Sequence, residues 1–590
     1  MKNRRKRGGL SGGDVVVSWR RFFRFVSLFV FSFVLFSALF IFLGKFRPVV
    51  RISTLKSATV KAVFGGSVSA VKVVAIHEAV KFPDQTLVFL NHSSTSRLHT
   101  KDDLFCVFSD ANKLFKQIPL AVEIDDIGRQ IVQCSAVPRG LTISLAVSRW
   151  TVDNHLPVGP THRWDWLVYD AVIDQDNSTV VFVKGLNLRS GKLADVSRYE
   201  CVYGWDLTNP KLMLRAEVTS AAQEIVRCKT PLTVLEGPRL AQSPPVKVSV
   251  RIKGSGMLPS IAHPINRLGR VKNSTRGKSK PFETCVCTMT RNAASVLREW
   301  VMYHAGIGVQ RWFIYDNNSD DDLISEIKNL EHRGYNISRH FWPWIKTQEA
   351  GFANCAIRAR SECDWVAFID VDEFFYIPSG QTLIEVIRNH TTPSSSGEIG
   401  EIRTPCHSFG PSGLRDPPRD GVTAAYTCRM LLPERHKSII RPESLNATLI
   451  NVVHHFHLRE GFTFADMDMG TMVINHYKYQ VWDIFKEKFK RRVATYVADW
   501  QNEENVGSKD RAPGLGTRPV EPSDWAERFC EVRDVGLRDW VLENFMDRKT
   551  QRLVWEREEK RVEDEVVAQM MGSWADKRVG RKRKKQLKAK

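Results

Sequence analysis

No cysteine spacing in this chain resembles a zinc site, which excludes a zinc-ribbon or zinc-finger scaffold. Acidic residues are scarce at both ends. Met1–Arg24 carries Lys2, Arg4, Arg5, Lys6, Arg7, Arg20, Arg21 and Arg24 against Asp14 alone. Lys577–Lys590 carries nine Lys or Arg and no acid. The net charge of +21 sits largely in these ends, so no nucleic-acid partner is read from it. Acidic polymers or membrane surfaces answer to such charge as well. Phe25–Gly44 lacks charge altogether and is rich in Phe, Leu and Val. A run of about 20 apolar residues spans a bilayer core of about 30 Å. No A-x-A cleavage pattern follows it, which argues against a removed signal peptide. The expectation is a transmembrane signal-anchor over residues 25–44, with the basic tail 1–24 cytoplasmic and the rest lumenal, a single-pass type II arrangement.

Helical periodicity is scarce between residues 82 and 251. Short apolar stretches such as Thr86–Leu90, Trp166–Tyr169 and Thr179–Val183 alternate with turn residues, which predicts a β-rich, sandwich-like domain after a stem over 45–81. Trp150, Trp164, Trp166 and Trp205 are candidates there for binding glycan, and core aromatics otherwise. Gly254–Lys280 is rich in Gly, Pro, Ser, Lys and Arg, so a linker is expected over 252–280. Asn91, Asn177, Asn273, Asn317, Asn336, Asn389 and Asn446 begin N-x-S/T sequons, in keeping with a lumenal location. The cysteines number 11, so at least one lacks an intrachain partner. Cys285 and Cys287 would share one strand face.

From Phe282 the pattern changes to strands alternating with helices, the mark of a parallel α/β sheet. Its centre is Trp365–Ile369, an apolar run that reads as a buried strand and ends abruptly in Asp370-Val371-Asp372-Glu373. Two carboxylates at i and i+2 beyond a buried strand suit Mn²⁺ or Mg²⁺, completed by substrate phosphates. Ligands on such sheets sit beyond the carboxyl ends of the strands, where Asp316 and Asp370 both fall. From Trp482 the chain turns charged. Lys486, Lys488, Lys490, Arg491 and Arg492, interleaved with Phe485 and Phe489, read as a helix with an apolar stripe, or as a rim for an acidic polysaccharide. Residues 531–590 read as a charged helical region, with an amphipathic helix over 539–571 and a basic tail.

Thr288-Met289-Thr290-Arg291-Asn292, Leu297-Arg298-Glu299-Trp300 through His304, Phe313–Ser319, the helix with Gln348, Asn354 and Cys355, Asp370–Phe374 and Ile474–Tyr477 together resemble glycosyltransferase family 92 over residues 281–530. The anchor and long N-terminal region resemble its plant branch, which includes β-1,4-galactan galactosyltransferases. The resemblance implies a GT-A-like (Rossmann-like) catalytic domain in the Golgi lumen. It also implies a UDP-sugar donor with UDP-galactose leading, Mn²⁺ or Mg²⁺, and inversion onto a glycan such as pectic galactan. Asp370 and Asp372 would hold the metal, with His476 as third ligand and His454, His455 and His457 as rivals. Arg291 would meet uracil or phosphate, Asp316 and Asp370 the nucleoside, and Lys437 phosphate or acceptor. Inversion needs a general base opposite the diphosphate. Asp466 is the choice, with Asp468 and Glu434 as alternatives. Asn317 would lie in the nucleotide pocket and stay unglycosylated. A homodimer is compatible with all of this. The competing reading is a glycan-binding protein whose transferase-like domain is inactive.

Overall fold

A computed structural model describes residues 74–90, 98–110, 112–147, 157–186, 188, 192–236, 245–265, 279–391, 397–452, 454–496 and 521–556. Among these residues no helix is long and apolar enough to cross a membrane. The expectation of a fold with one N-terminal transmembrane helix is corrected accordingly: residues 25–44 lie outside the described residues, and no described helix takes that role.

The β-rich part holds three sheets. The first runs, edge to edge, Ala121–Ile124, Gln130–Ser135, Gln85–Leu90, Ile76–Lys81 and Thr161–Arg163. Ile76–Lys81, expected to close the stem, is thus a sheet strand. A three-stranded sheet over Leu114–Gln117, Leu104–Ser109 and Thr142–Val147 shares a core with it through Val88, Leu90, Phe108, Val132 and Leu145. The Cys106–Cys134 disulfide staples the two sheets. A seven-stranded sheet carries the Cys201–Cys228 disulfide and ends on Lys247–Ile252 and Gly256–Met257. Residues 253–265, expected within the linker, continue this sheet: Ser260 and Ile265 bridge Val168 and Val172.

The second part is a nine-stranded mixed sheet. Its strands are β1 (Phe282–Thr290), β2 (Arg311–Asp316), β3 (Ile337–Phe341), β4 (Cys363–Phe368), β5 (Glu373–Tyr376), β6 (Glu398–Ser408), β7 (Arg435–Ile440), β8 (Phe462–Asp466) and β9 (Val473–His476). The order is β3-β2-β1-β4-β7-β6-β9-β5, with β8 alongside β6. The first four strands are parallel, while β7 runs antiparallel to both β4 and β6. The helices α1 (Ala294–Gly306), α2 (Leu323–His332) and α3 (Gln348–Ala359) make the crossovers. Helix α4 (Trp482–Tyr496) buries Phe485 and Phe489 against Trp482 and Trp525, so those aromatics form a core stripe and no exposed rim. The C-terminal helix α5 covers only Gly536–Phe545, followed by a hairpin of Met546–Asp547 and Arg552–Leu553. The long helix expected over 539–571 is thereby interrupted, and 557–590 lie outside the described residues. Leu537, Val541, Leu553 and Trp555 join the core beside Trp300 and Tyr303.

The β-rich part and the mixed sheet share one core. Phe82, Phe89, Tyr169 and Phe182 pack with Phe313, Tyr315, Trp342 and Phe352. Trp164 stacks on Trp344 with centroids 5.3 Å apart. It is therefore a core aromatic, whereas Trp166 and Trp205 are exposed and Trp150 lies outside the described residues.

Candidate active site

Strand β4 delivers Asp370 and Asp372 to a cleft of about 590 Å³ at the carboxyl ends of the parallel strands. Its walls include Arg291 and Asn292 just after β1, Asn317 after β2, Trp344, Lys346 and Thr347 before α3, Gln348 at its start, His476 at the end of β9, Lys478 beyond it, and Lys488 of α4. The cleft therefore mixes four cations with its acids, as a site for a diphosphate would.

The acidic turn is held from below. Lys437, nearly buried on β7, sets Nζ 3.1 Å from Asp370 Oδ2 and 2.7 Å from Glu373 Oε1. Burial alone would raise the Asp370 carboxyl, but Lys437, His454 and His476 together outweigh it and hold the group at about 2. Burial likewise opposes ionisation of Asp372, yet Lys488 and His476 beside it keep its carboxyl well below the usual range. Glu373 is fully enclosed, and burial pushes it up despite Lys437. Its Oε2 accepts from Asp370 N–H at 3.0 Å, closing the turn.

Helix α1 backs this turn, which explains the Leu297-Arg298-Glu299-Trp300 stretch. Arg298 forms a two-pronged pair with Glu326 of α2. Glu299 accepts from the Val422 and Thr423 N–H groups, both at 2.9 Å. Gly421 has φ +93°, and a Cβ there would strike the Glu299 carboxylate at 2.6 Å. Trp300 Nε1 donates to the Glu373 carbonyl at 2.9 Å, and the Tyr303 hydroxyl donates to that of Phe375.

His476 Nε2 lies 3.3 Å from Asp372 Oδ2, and its Nδ1 lies 3.5 Å from Glu373 Oε1. That is the arrangement of a ligating imidazole with a carboxylate behind it. Two carboxylates open to the cleft and one imidazole fit a hard divalent cation. Glu373, Cys406 and His476 lie closer together, their donor atoms all within 4.8 Å. That group suits a hard cation poorly. Glu373 is sealed against Lys437, and burial drives the Cys406 thiol far up, leaving no thiolate. Of the rival histidines, His454 is buried, takes a bond from Lys437 at 2.7 Å and is pushed down to about 3 by burial. His455 bonds Glu401 at 3.1 Å, and His457 is exposed.

Other expected positions stand elsewhere. Asp316 does not reach the cleft: it is fully buried, 2.6 Å from Arg339 NH2, and accepts from Ser319 N–H at 2.8 Å. Asn317 takes its place, its Nδ2 donating to the Trp342 carbonyl at 2.8 Å. Lys437 lies beneath the acidic turn and does not line the cleft. Asp466 lines a separate groove of about 310 Å³ with Arg403, Glu434, Arg435 and His436. Asp468 sits in an exposed turn, bonded to its own Gly470 N–H at 2.8 Å. Arg291 does line the cleft, and its Nε is buried without a hydrogen-bond partner. Lys478 and Lys488 were missed as single sites, since lysines in charged stretches carry no signal of where they point.

A model of glycosyltransferase family 92 matches residues 280–508. A family 92 protein of Ricinus communis is 53% identical over 566 residues, 94% of this chain and 100% of that protein. One from Oryza sativa subsp. japonica is 50% identical, covering 90% of this chain and 93% of that one. A crystal structure of glucosyl-3-phosphoglycerate synthase from Mycobacterium tuberculosis with Mn²⁺, UDP-glucose and phosphoglyceric acid aligns with 36% of this chain and 77% of that chain. The identity there is 13% and the TM-score 0.20, too low to carry an argument. On the full-length likeness to its plant relatives, the chain belongs to glycosyltransferase family 92.

Proposed function

We propose that the protein moves a sugar from a UDP-sugar to a glycan hydroxyl, with inversion and with a divalent cation at Asp370, Asp372 and His476. The observation that carries this is the Asp370–Asp372 turn opening into a cation-lined cleft, with His476 at 3.3 Å from Asp372. When bound, Mn²⁺ or Mg²⁺ supplies positive charge to the leaving diphosphate. Arg291, with its unpartnered Nε, and Lys488 add donors for the phosphate oxygens. In the transfer, the acceptor oxygen bonds the anomeric carbon and the bond to the diphosphate breaks, its electron pair leaving with UDP. Lys437 and Glu373 keep the acidic turn in place.

UDP-galactose is the first donor to try, on the family resemblance. Five disulfides among the described residues support an oxidising compartment, the Golgi lumen in this reading. The test is UDP release from a panel of UDP-sugars with Mn²⁺ or EDTA, with Asp372→Ala beside the wild type. Release from one donor that EDTA abolishes and Asp372→Ala lowers at least about 100-fold is expected. Metal-independent release would overturn the reading.

A further inference from the structure

The separate groove lined by Asp466 lies beside the cleft. Lys478, on its wall, holds Glu434 Oε2 at 2.7 Å, and Glu434 lines the second groove. The two cavities therefore meet at one ion pair. Backbone register fixes the distance. His476 on β9 lies opposite Ser408 on β6, and Glu434 N–H bonds the Cys406 carbonyl of the same strand at 3.1 Å. Glu434 thus stands two strand spacings from His476, roughly 10 Å. That separation leaves room for a sugar ring and a diphosphate oxygen between them.

The groove is polar and charge-balanced. Arg403 lies 3.2 Å from Glu401, with its Cζ over the half-exposed Phe464 ring 3.4 Å from the centroid. Glu434 is matched by Lys478. Among the described residues, Arg435 and Asp466 make no ion pair, and their charges cancel. The His436 ring packs on His455 with centroids 4.2 Å apart. Exposed donors and acceptors without net charge suit hydroxyls, each of which both donates and accepts. A cavity of about 310 Å³ suits a short saccharide segment.

We propose that this groove seats the acceptor as a neutral saccharide chain held by Arg435 and Asp466, and that Glu434 takes the proton from the attacking hydroxyl. The inference rests on the transferase reading. The acceptor O–H bond breaks toward the Glu434 carboxylate as the oxygen bonds the anomeric carbon. The pair of the old bond leaves with UDP, and Glu434 then returns its proton to water.

The test uses the full chain with Mn²⁺ and UDP. Saturation-transfer NMR would compare β-1,4-galactotetraose, xylotetraose and trigalacturonate on the wild type, Asp466→Asn and Arg435→Gln. A neutral tetraose should bind and lose at least about 10-fold in affinity in either variant. In Glu434→Gln, turnover with that tetraose and UDP-galactose should fall about 100-fold or more, with UDP bound at least as tightly because Lys478 is freed. Retained UDP binding shows that the variants fold. Preference for trigalacturonate, binding of no saccharide, tetraose binding indifferent to both variants, or undiminished Glu434→Gln turnover would each overturn the groove assignment. Failure of the wild type to bind UDP with Mn²⁺ would instead sink the transferase reading.

Discussion

Lys437 is the cation on which the acidic turn depends. Its side chain is 7% exposed and sits between Asp370 and Glu373, which repel each other. Replacing it by Met keeps much of the stem but leaves two carboxylates facing apolar atoms. Breaking a buried pair from one side costs about 3–5 kcal/mol. Lys437→Met should therefore lower the urea midpoint by a corresponding amount, and Lys437→Arg by much less. An unchanged midpoint in Lys437→Met would mean that water reaches the turn. The position illustrates what a sequence carries at this scale. Asp370 and Asp372 stand out because a buried strand rarely ends in adjacent carboxylates without a use for them. Lys437 is one of several polar residues in the strand Arg435–Ile440, and whether it turns to substrate or to the acidic turn depends on β7 lying beside β4. Asp316 is the same case: its place at a strand end was legible, while its capture by Arg339 of β3 was not.

Strand β1 is tied twice to the elements that build the site. Cys285 bridges Cys363 at the start of β4, and Cys287 bridges Cys355 on α3. The two cysteines share one face of β1, as their spacing predicts. Their partners, 78 and 68 residues on, were not legible, because pairing depends on β4 lying beside β1 in the sheet and on α3 packing against it. A closed loop of the second size removes about 4 kcal/mol of denatured-state freedom in the chain-entropy account. The double variant Cys287→Ser with Cys355→Ser should lose stability of that order in urea unfolding. Equal midpoints for variant and wild type would show that the bridge adds nothing beyond the packing around it. The alternation of strands and helices over 282–368 was readable from hydrophobic periodicity. The half that mixes parallel and antiparallel pairs was less so, since β7, β6, β9 and β5 pair out of chain order.

At the scale of the whole molecule, composition suggested two bodies joined by a linker, and packing joins them. Gly254–Lys280 has a linker's residues, yet Ile261 and Ala262 are buried and add to the seven-stranded sheet. Across the boundary Arg339 pairs with Glu123, Arg358 with Asp126, and Arg360 with Asp174. Lys184 donates to the Lys346 carbonyl at 2.9 Å, and Trp164 stacks on Trp344, so the β-rich part supports a loop of the cleft. A fragment beginning at residue 279 would expose Phe313, Tyr315, Trp342 and Trp344 together, leave Arg358 and Arg360 without their acids and strip Arg339 of one of its two. An apolar patch of that size makes a soluble monomer unfavourable. The fragment should elute as aggregate in size-exclusion chromatography and show no Mn²⁺-dependent UDP binding. Residues 73–590 should give a folded species that binds. A monodisperse fragment with the UDP affinity of the longer chain would show that the β-rich part is an appendage. The shared core predicts the opposite, because the side chains that shape the cleft on one face are packed on the other by residues roughly two hundred positions earlier in the chain.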